Sequence, residues 1–273
     1  MIRKFYIKNK AGVSQTLVKL ISKHLKLSLD DARCLIIQGS VWNNNNLQRL
    51  KNPDAIITDE LIQINLPEFP VIPYTFDGNE IAYEDKYILA VYKKAGFPTV
   101  PTPYADIHSL EFALNNFYSS RSERLYPINR IDMPTEGIVL FSRDKQSAGQ
   151  FYKLFSSREV LKCYQVTTEL SRHPAGATFV FTDKLEFKGE VKEAKTLVKH
   201  IGNEDNKSCY LAYPLTGRTH QIRKHFAMNL SPIIGDATYG NYKSTDKLML
   251  SCIYYRFIHP ITKIQIRIKH PAV

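Results

Sequence analysis

Three prolines within seven residues, Pro67, Pro70 and Pro73, divide the chain. Proline lacks the backbone N–H that a helix interior or a central strand must donate, so neither element runs through this stretch. The total of 273 residues is enough for a large domain and a small one. The expected division is a small domain over residues 1–66, a linker over 67–80 and a large domain over 81–273.

The two sides differ in pattern. Leu17, Leu20, Ile21 and Leu25 recur at helical spacing. Ser28 is placed to cap a second helix, with Asp31 three residues later, Ala32, Leu35 and Ile36 as its apolar face, and Gly39 at its end. Short apolar runs follow at Val41-Trp42 and Leu61 to Ile64, around an Asn43 to Asn46 turn. Two short helices followed by a small β element resemble the S4 RNA-binding module; the alternative is a small structural cap. Beyond the prolines, strands mostly follow strands: Ile88 to Tyr92, Ile138 to Phe141, Lys162 to Thr168, Thr178 to Phe181, Thr196 to Lys199, Cys209 to Tyr213, Ile253 to Ile258 and Ile264 to Ile268. Helices are expected from Asp144, with Ala148, Phe151, Tyr152 and Phe155 on one face, and over Thr219 to Asn229. Such an order favours a mixed, largely antiparallel sheet over a doubly wound one.

Composition narrows the partners. Hydrophobic residues make up 44%, enough for a sizeable core. Lys and Arg total 37 against 26 acidic residues, a net +11 that suits a polyanion. The cysteines, Cys34, Cys163, Cys209 and Cys252, form no CxxC pair, so no zinc site is expected. No GxGxxG or Walker loop occurs, so no nucleotide cofactor is expected either. Met1 to Phe5 leads into no apolar signal core, and no apolar run is long enough to span a bilayer. A soluble, cytoplasmic protein that works without metal or cofactor, and as a monomer, is the expectation.

Two segments concentrate chemistry. In Asn129 to Gly137, Arg130 and Asp132 sit in a Pro- and Gly-containing turn directly before an apolar strand, where functional groups are common. On the residues alone, a carboxylate placed like Asp132 is more often turn-capping or ion-paired than catalytic. In Leu215 to Arg223, His220 and Arg223 fall three apart on the expected helix, with Ile222 and Phe226 toward the core. Arg218 and His220 near a helix N-terminus oppose its dipole, which calls for an anionic partner from the protein or from RNA.

Together these segments resemble the RluA-type RNA pseudouridine synthases. Arg130-Ile131-Asp132-x-x-Thr135-x-Gly137 is similar to the catalytic loop of that family. Thr216-Gly217-Arg218-Thr219-His220-Gln221-Ile222-Arg223-x-His225, followed by Pro232 to Asp236 and Tyr239-Gly240, is similar to its longest signature. Lys162-Cys163-Tyr164 resembles the strand that supplies the active-site tyrosine, and Tyr83-Glu84-Asp85 with Ile88 to Gly96 resembles the opening of the catalytic domain. The likeness runs from about Ile81 to Lys269. It departs at Asn129, where the family usually has His, and at Tyr92 to Gly96, where it usually has Asn-Lys-Pro-Ala-Gly.

The resemblance implies an α+β fold: a mixed, largely antiparallel catalytic sheet of pseudouridine synthase type with flanking helices, preceded by a small α/β S4-like domain. It implies isomerisation of selected uridines in structured RNA, ribosomal or transfer, with no cofactor. Asp132 becomes the essential carboxylate, as nucleophile at C1′ or base toward C2′; Arg223 its ion-pair partner, expected to orient it bidentately; Tyr164 the ring against the flipped base. Arg130, Arg218, His220 and Lys162 become RNA contacts, although capping serves equally for Arg218 and His220, and Asp236 and Tyr239 read as structural. Glycoside hydrolases and nucleosidases normally oppose two carboxylates, and only Asp132 matches a motif here. A non-catalytic RNA-binding protein retaining the fold is the other alternative.

Overall fold

The computed structural model describes residues 2–10, 13–121 and 123–270. The chain forms two compact units, one of Met1–Phe76 with Val100–Phe117 and one of Asp77–Thr99 with Tyr118–Val273. Residues 100–117 thus group with the amino-terminal unit, whereas the linear division at the prolines puts them in the large domain.

The first unit contains strands β1 (Ile2–Lys8), β2 (Gln15–Thr16), β3 (Val41–Asn43), β4 (Gln48–Arg49), β5 (Ile56–Ile57) and β6 (Leu61–Pro67), and helices α1 (Leu17–Leu25), α2 (Leu29–Gln38) and α3 (Leu110–Phe117). Four strands pair in the order β1-β6-β3-β4, all antiparallel. Leu17, Leu20 and Ile21 of α1 bury fully, as their spacing requires. Ser28 Oγ accepts the Asp31 N–H at 3.0 Å, and Gly39, at φ +93°, closes α2 in the left-handed conformation that favours glycine. The 100–117 segment is held by polar contacts from β3, β4 and their flanks. Ser40 Oγ donates to Tyr104 O (2.5 Å), Trp42 Nε1 to Pro103 O (2.7 Å), and Lys51 pairs with Asp106 at 2.6 Å. The sequence pattern predicts neither α3 nor this attachment.

The second unit is built on β7 (Ile81–Glu84), β8 (Ile88–Lys93), β9 (Tyr126–Pro127), β10 (Glu136–Ser142), β11 (Leu161–Glu169), β12 (Thr178–Phe187), β13 (Glu190–Glu204), β14 (Lys207–Pro214), β15 (Leu250–Ile258) and β16 (Gln265–Lys269), with α4 (Lys145–Ser156) and α5 (Gln221–Asn229). These ten strands form one sheet, in the order β12-β13-β14-β11-β15-β10-β8-β7, with β16 on β15 and β9 on β10. Every pairing is antiparallel except β10 with β15, so the expected mixed, largely antiparallel class holds. The apolar cores of β8 and β10, Ile88 to Val91 and Ile138 to Phe141, are completely buried. Asp144 caps α4, accepting the Ser147 N–H at 2.7 Å; Tyr152, expected on its inner face, is 48% exposed and reaches Pro127 O with its hydroxyl. The 178–181 and 196–199 runs extend into one long hairpin, because alternation continues through the polar residues that flank them.

The lone parallel pairing sets the loop between β9 and β10. Gly137 lies at φ +121°, and a Cβ there would come within 2.3 Å of the Cys252 carbonyl oxygen. Only glycine lets β10 approach β15 this closely. Upstream, Asn129 Oδ1 accepts the Leu140 N–H and its Nδ2 donates to the Tyr255 hydroxyl, both at 2.8 Å. Gly96 N donates to Met133 O at 2.9 Å.

Lys93, at the end of β8, is fully buried. Its Nζ donates to the carbonyls of Lys94 (2.9 Å), Phe97 (2.6 Å) and Met133 (3.2 Å), fastening the turn after β8 to the 129–135 loop. Burial pushes its pKa from 10.5 down to about 7, against the opposing pull of Asp132 and Glu136. Between these two values the unfolded chain holds a proton that the folded one has released. Wild-type stability therefore rises with pH across this window, by up to about 1.4 kcal/mol per unit. Lys93→Met should lack that rise and, by stranding the carbonyls its amine serves, lose at least about 2 kcal/mol at pH 9. Denaturant unfolding from pH 7 to 10 checks this; parallel pH profiles for the two proteins would contradict it.

Candidate active site

The site forms where the 129–135 loop meets the start of α5. The Thr216 to Arg218 turn before α5 is folded around the buried Gln221 side chain. Its Oε1 accepts the Thr216 hydroxyl (2.6 Å) and the Arg218 N–H (3.0 Å), while Nε2 donates to Lys195 O (3.0 Å) and Thr196 Oγ1 (2.9 Å). His220 then adopts a left-handed conformation, φ 54° and ψ 26°, and the helix begins at Gln221. The helix expected from Thr219 is therefore shorter, and His220 shares no helical face with Arg223. Ile222 and Phe226 do face the core.

Even so, His220 and Arg223 converge on the same carboxylate. Asp132 Oδ2 lies 3.7 Å from Arg223 Nη1, and Asp132 Oδ1 lies 3.9 Å from His220 Nε2. The bidentate partner of Arg223 is a different residue from the one expected. Nε and Nη2 donate to the two oxygens of Asp236 at 2.8 and 2.7 Å, and Nη2 also reaches Thr238 Oγ1 at 2.9 Å. Asp236 is fully buried and further accepts the backbone N–H groups of Thr238 (3.0 Å) and Tyr239 (3.1 Å). The physical reason is burial: a guanidinium only 4% exposed needs a fully desolvated counter-charge, whereas Asp132 remains 31% exposed.

Electrostatics follow the contacts. Burial works against the charge of Arg223, but the Asp236 hydrogen bonds and the carboxylates of Asp236 and Asp132 raise its pKa further. Burial likewise opposes ionisation of Asp236, and the Arg223 and backbone hydrogen bonds outweigh it, lowering that carboxyl. Burial lowers the pKa of His220 against the pull of Asp132, so its ring is mainly neutral near pH 7. The Tyr239 ring packs under Arg223 with its centroid 5.2 Å from the guanidinium carbon, and its hydroxyl meets His220 Nδ1 at 2.9 Å.

Tyr164, on β11, completes the group. Burial pushes its hydroxyl well above the usual range, with Cys252 and Tyr255 beside it and the charge of Asp132 close enough to add to the shift. Among the expected RNA contacts, Arg130 is exposed in the Asp132 loop, while Lys162 and Arg218 border a neighbouring cavity that Asp132 does not line. Asp236 and Tyr239, structural on a sequence reading, belong to the site itself, and Lys93 escapes that reading altogether. The Asp-x-x-Tyr spacing after Gly235 is the signal for the first two; Lys93 carries none beyond its place at the end of an apolar strand. The arrangement offers one accessible carboxylate, a fixed cation beside it, and a neutral phenol within its field.

Comparison with known proteins gives this geometry a family. A family model described as RNA pseudouridylate synthase matches residues 87–228. A tRNA pseudouridine synthase C of Vibrio vulnificus is 30% identical over 219 residues, covering 70% of this chain and 89% of that protein. A Mycoplasma genitalium protein named as an RNA pseudouridine synthase is 25% identical over 267 residues, covering 90% and 85%. The structure of human RNA pseudouridylate synthase domain containing 1 superposes with a TM-score of 0.58 at 22% identity, covering 70% of this chain and 82% of that one, which bears on the fold alone. With a model match over half its length and a relative at 30% identity, the chain belongs to the RNA pseudouridylate synthase family.

Proposed function

We propose that this enzyme isomerises uridines in transfer RNA, with Asp132 as the carboxylate that acts on the ribose of the target. One observation carries the assignment. Asp132 is the carboxylate that stands partly open to solvent, takes no hydrogen bond from the described residues, and lies 3.7 Å from an arginine locked in place by another group. The names of the relatives support transfer RNA over ribosomal RNA.

The reaction cuts uracil from C1′, turns it, and rejoins it through carbon. All atoms of the uridine are retained and no electrons are exchanged, so the chemistry calls for no external group. The target must first leave its stack, at a cost of a few kcal/mol. Asp132 would then act as nucleophile at C1′ or take the C2′ proton. Arg223 would steady the carboxylate as a nearby cation whose own direction is set by Asp236. Tyr164, kept protonated by burial, would lie against the base and donate or relay a proton. Arg130 would fill the space the base leaves or contact phosphate, and Lys162, Arg218 and His220 would meet the RNA near the target. Residues 1–66 would serve as an S4-like RNA-binding module, presenting Lys19 and Lys23 of α1, both exposed.

Mapping pseudouridine in transfer and ribosomal RNA from cells with and without the gene should show loss in transfer RNA alone; loss confined to ribosomal RNA would overturn that part of the reading. Asp132→Asn keeps the shape and removes the charge. It should fold, bind RNA within a few-fold of wild type, and lose at least about 1000-fold in single-turnover rate. Near-normal turnover would remove Asp132 from its role.

Arg223→Lys should also lose most single-turnover activity, because an ammonium cannot reproduce the two-oxygen grip on Asp236. Raising the pH to about 9, well above an ordinary carboxylate pKa, should not restore it. Full activity of the lysine variant would show that positive charge alone suffices. For the amino-terminal unit, Lys19→Glu with Lys23→Glu should flatten the dependence of log K on log salt, by roughly 0.7–0.9 for each phosphate that is no longer neutralised. An unchanged slope would favour a purely structural unit.

A further inference from the structure

Beside the Asp132 site, and lined by none of Asp132, Tyr164, His220 or Arg223, is a cavity of about 610 Å³. Its walls come from the end of α4, the segment entering β11, Leu197 of β13, and the turn that follows β14. Three of its side chains are cationic, Arg158, Lys162 and Arg218, and one is acidic, Glu159. Among the described residues no carboxylate pairs with any of the three cations. The Glu159 carboxylate instead accepts the Ser157 hydroxyl, and Arg218 Nε donates to the Glu193 carbonyl at 3.0 Å. The partial negative charge at the end of α4, roughly half an elementary charge, does not balance three cations. Lys162 is largely desolvated, and burial lowers its pKa. A charge withdrawn from water without a partner is costly, and folded proteins normally supply that partner or bind one.

The remaining wall is apolar and aromatic. Phe155, Tyr213, Leu197 and Leu215 line it, and the two leucines are 37% and 46% exposed. Cations gathered against an aromatic and aliphatic surface suit a nucleotide, whose phosphate takes the charge and whose base takes the wall. The volume falls within the range of about 300–1,000 Å³ for small-molecule sites. Lys162 precedes Tyr164 by two residues on β11, roughly 7 Å along the strand, so a nucleotide here would be a near neighbour of the target.

We propose that this cavity is a second nucleotide subsite, which holds the base and phosphate of an RNA residue other than the target uridine. The proposal rests on the reading of the Asp132 site as acting on RNA. It gives the cations a counter-charge: they pair with no carboxylate among the described residues in the free enzyme and are neutralised by phosphate in the complex.

The test is a nuclear magnetic resonance titration of the full chain, labelled at leucine methyls, with uridine 5′-monophosphate, uridine and inorganic phosphate. The monophosphate should shift the Leu197 and Leu215 methyls saturably, with uridine and phosphate each binding at least about tenfold more weakly. Lys162→Met and Arg158→Asn should each weaken the monophosphate at least about fivefold; asparagine tolerates the left-handed φ of 66° at position 158. Asp132→Asn should titrate like wild type. Unmoved methyls, or equal binding of phosphate and monophosphate, would overturn the subsite, the latter leaving only an anion site. An equal loss in Asp132→Asn would place the ligand in the catalytic cleft and also overturn it. Lys162→Met should likewise bind transfer RNA more weakly; unchanged affinity would overturn the assignment to RNA. The titration needs no turnover, so an enzyme that modifies no RNA counts against the Asp132 reading and leaves this result standing.

Discussion

The buried ion pair between Arg223 and Asp236 is the interaction on which the site depends. Taking both charges out of water costs several kcal/mol per ion, and such a pair is repaid only when geometry is good and the remaining hydrogen-bonding positions are filled. Here most of them are: Asp236 receives two guanidinium bonds and two backbone N–H groups, and Arg223 adds Thr238 and the face of Tyr239. Losing one partner of such a pair costs about 3–5 kcal/mol, since the other charge stays buried alone. The arginine is thereby fixed before any substrate arrives. Its third nitrogen then faces Asp132 at ion-pair distance without taking up that carboxylate's lone pairs.

This division of labour separates stability from reactivity. Asp236 meets the demands of a buried cation, and Asp132 keeps its oxygens clear of that grip. The loop carrying Asp132 is held from outside the site as well, by Lys93 Nζ, by Gly96 and by Asn129. For the role proposed for Asp132, placement within a fraction of an ångström would matter.

Much of this is legible in the sequence, and the reasons are local. α1 carries its apolar spacing, and α2 its spacing and both caps, within a dozen residues each, so pattern alone finds them. Gln221 shows why Thr216 to His220 reads as a unit, since four hydrogen bonds of one side chain shape that turn. What stays hidden depends on distant pairing. Nothing near Arg223 signals that Asp236, thirteen residues on, outcompetes Asp132; the choice is made by relative burial, which only the fold creates. Lys93 reads as an ordinary charged strand end, because its three acceptors come from Lys94, Phe97 and Met133 and exist only once the loop is closed. The attachment of residues 100–117 to the first unit likewise rests on contacts made across more than fifty residues of chain.

The amide of Asn129 has one further consequence, for the direction of protons. Its oxygen is committed to the Leu140 N–H, so the nitrogen must be the end that meets Tyr255, and an amide nitrogen can only give a hydrogen. The Tyr255 oxygen is therefore a receiver on that side, and its own hydrogen must point elsewhere. A backbone group on β10 thus sets which way the amide between it and Tyr255 gives its hydrogen. Where the family usually places histidine, whose two ring nitrogens can exchange roles, this chain has a residue whose polarity one backbone hydrogen fixes.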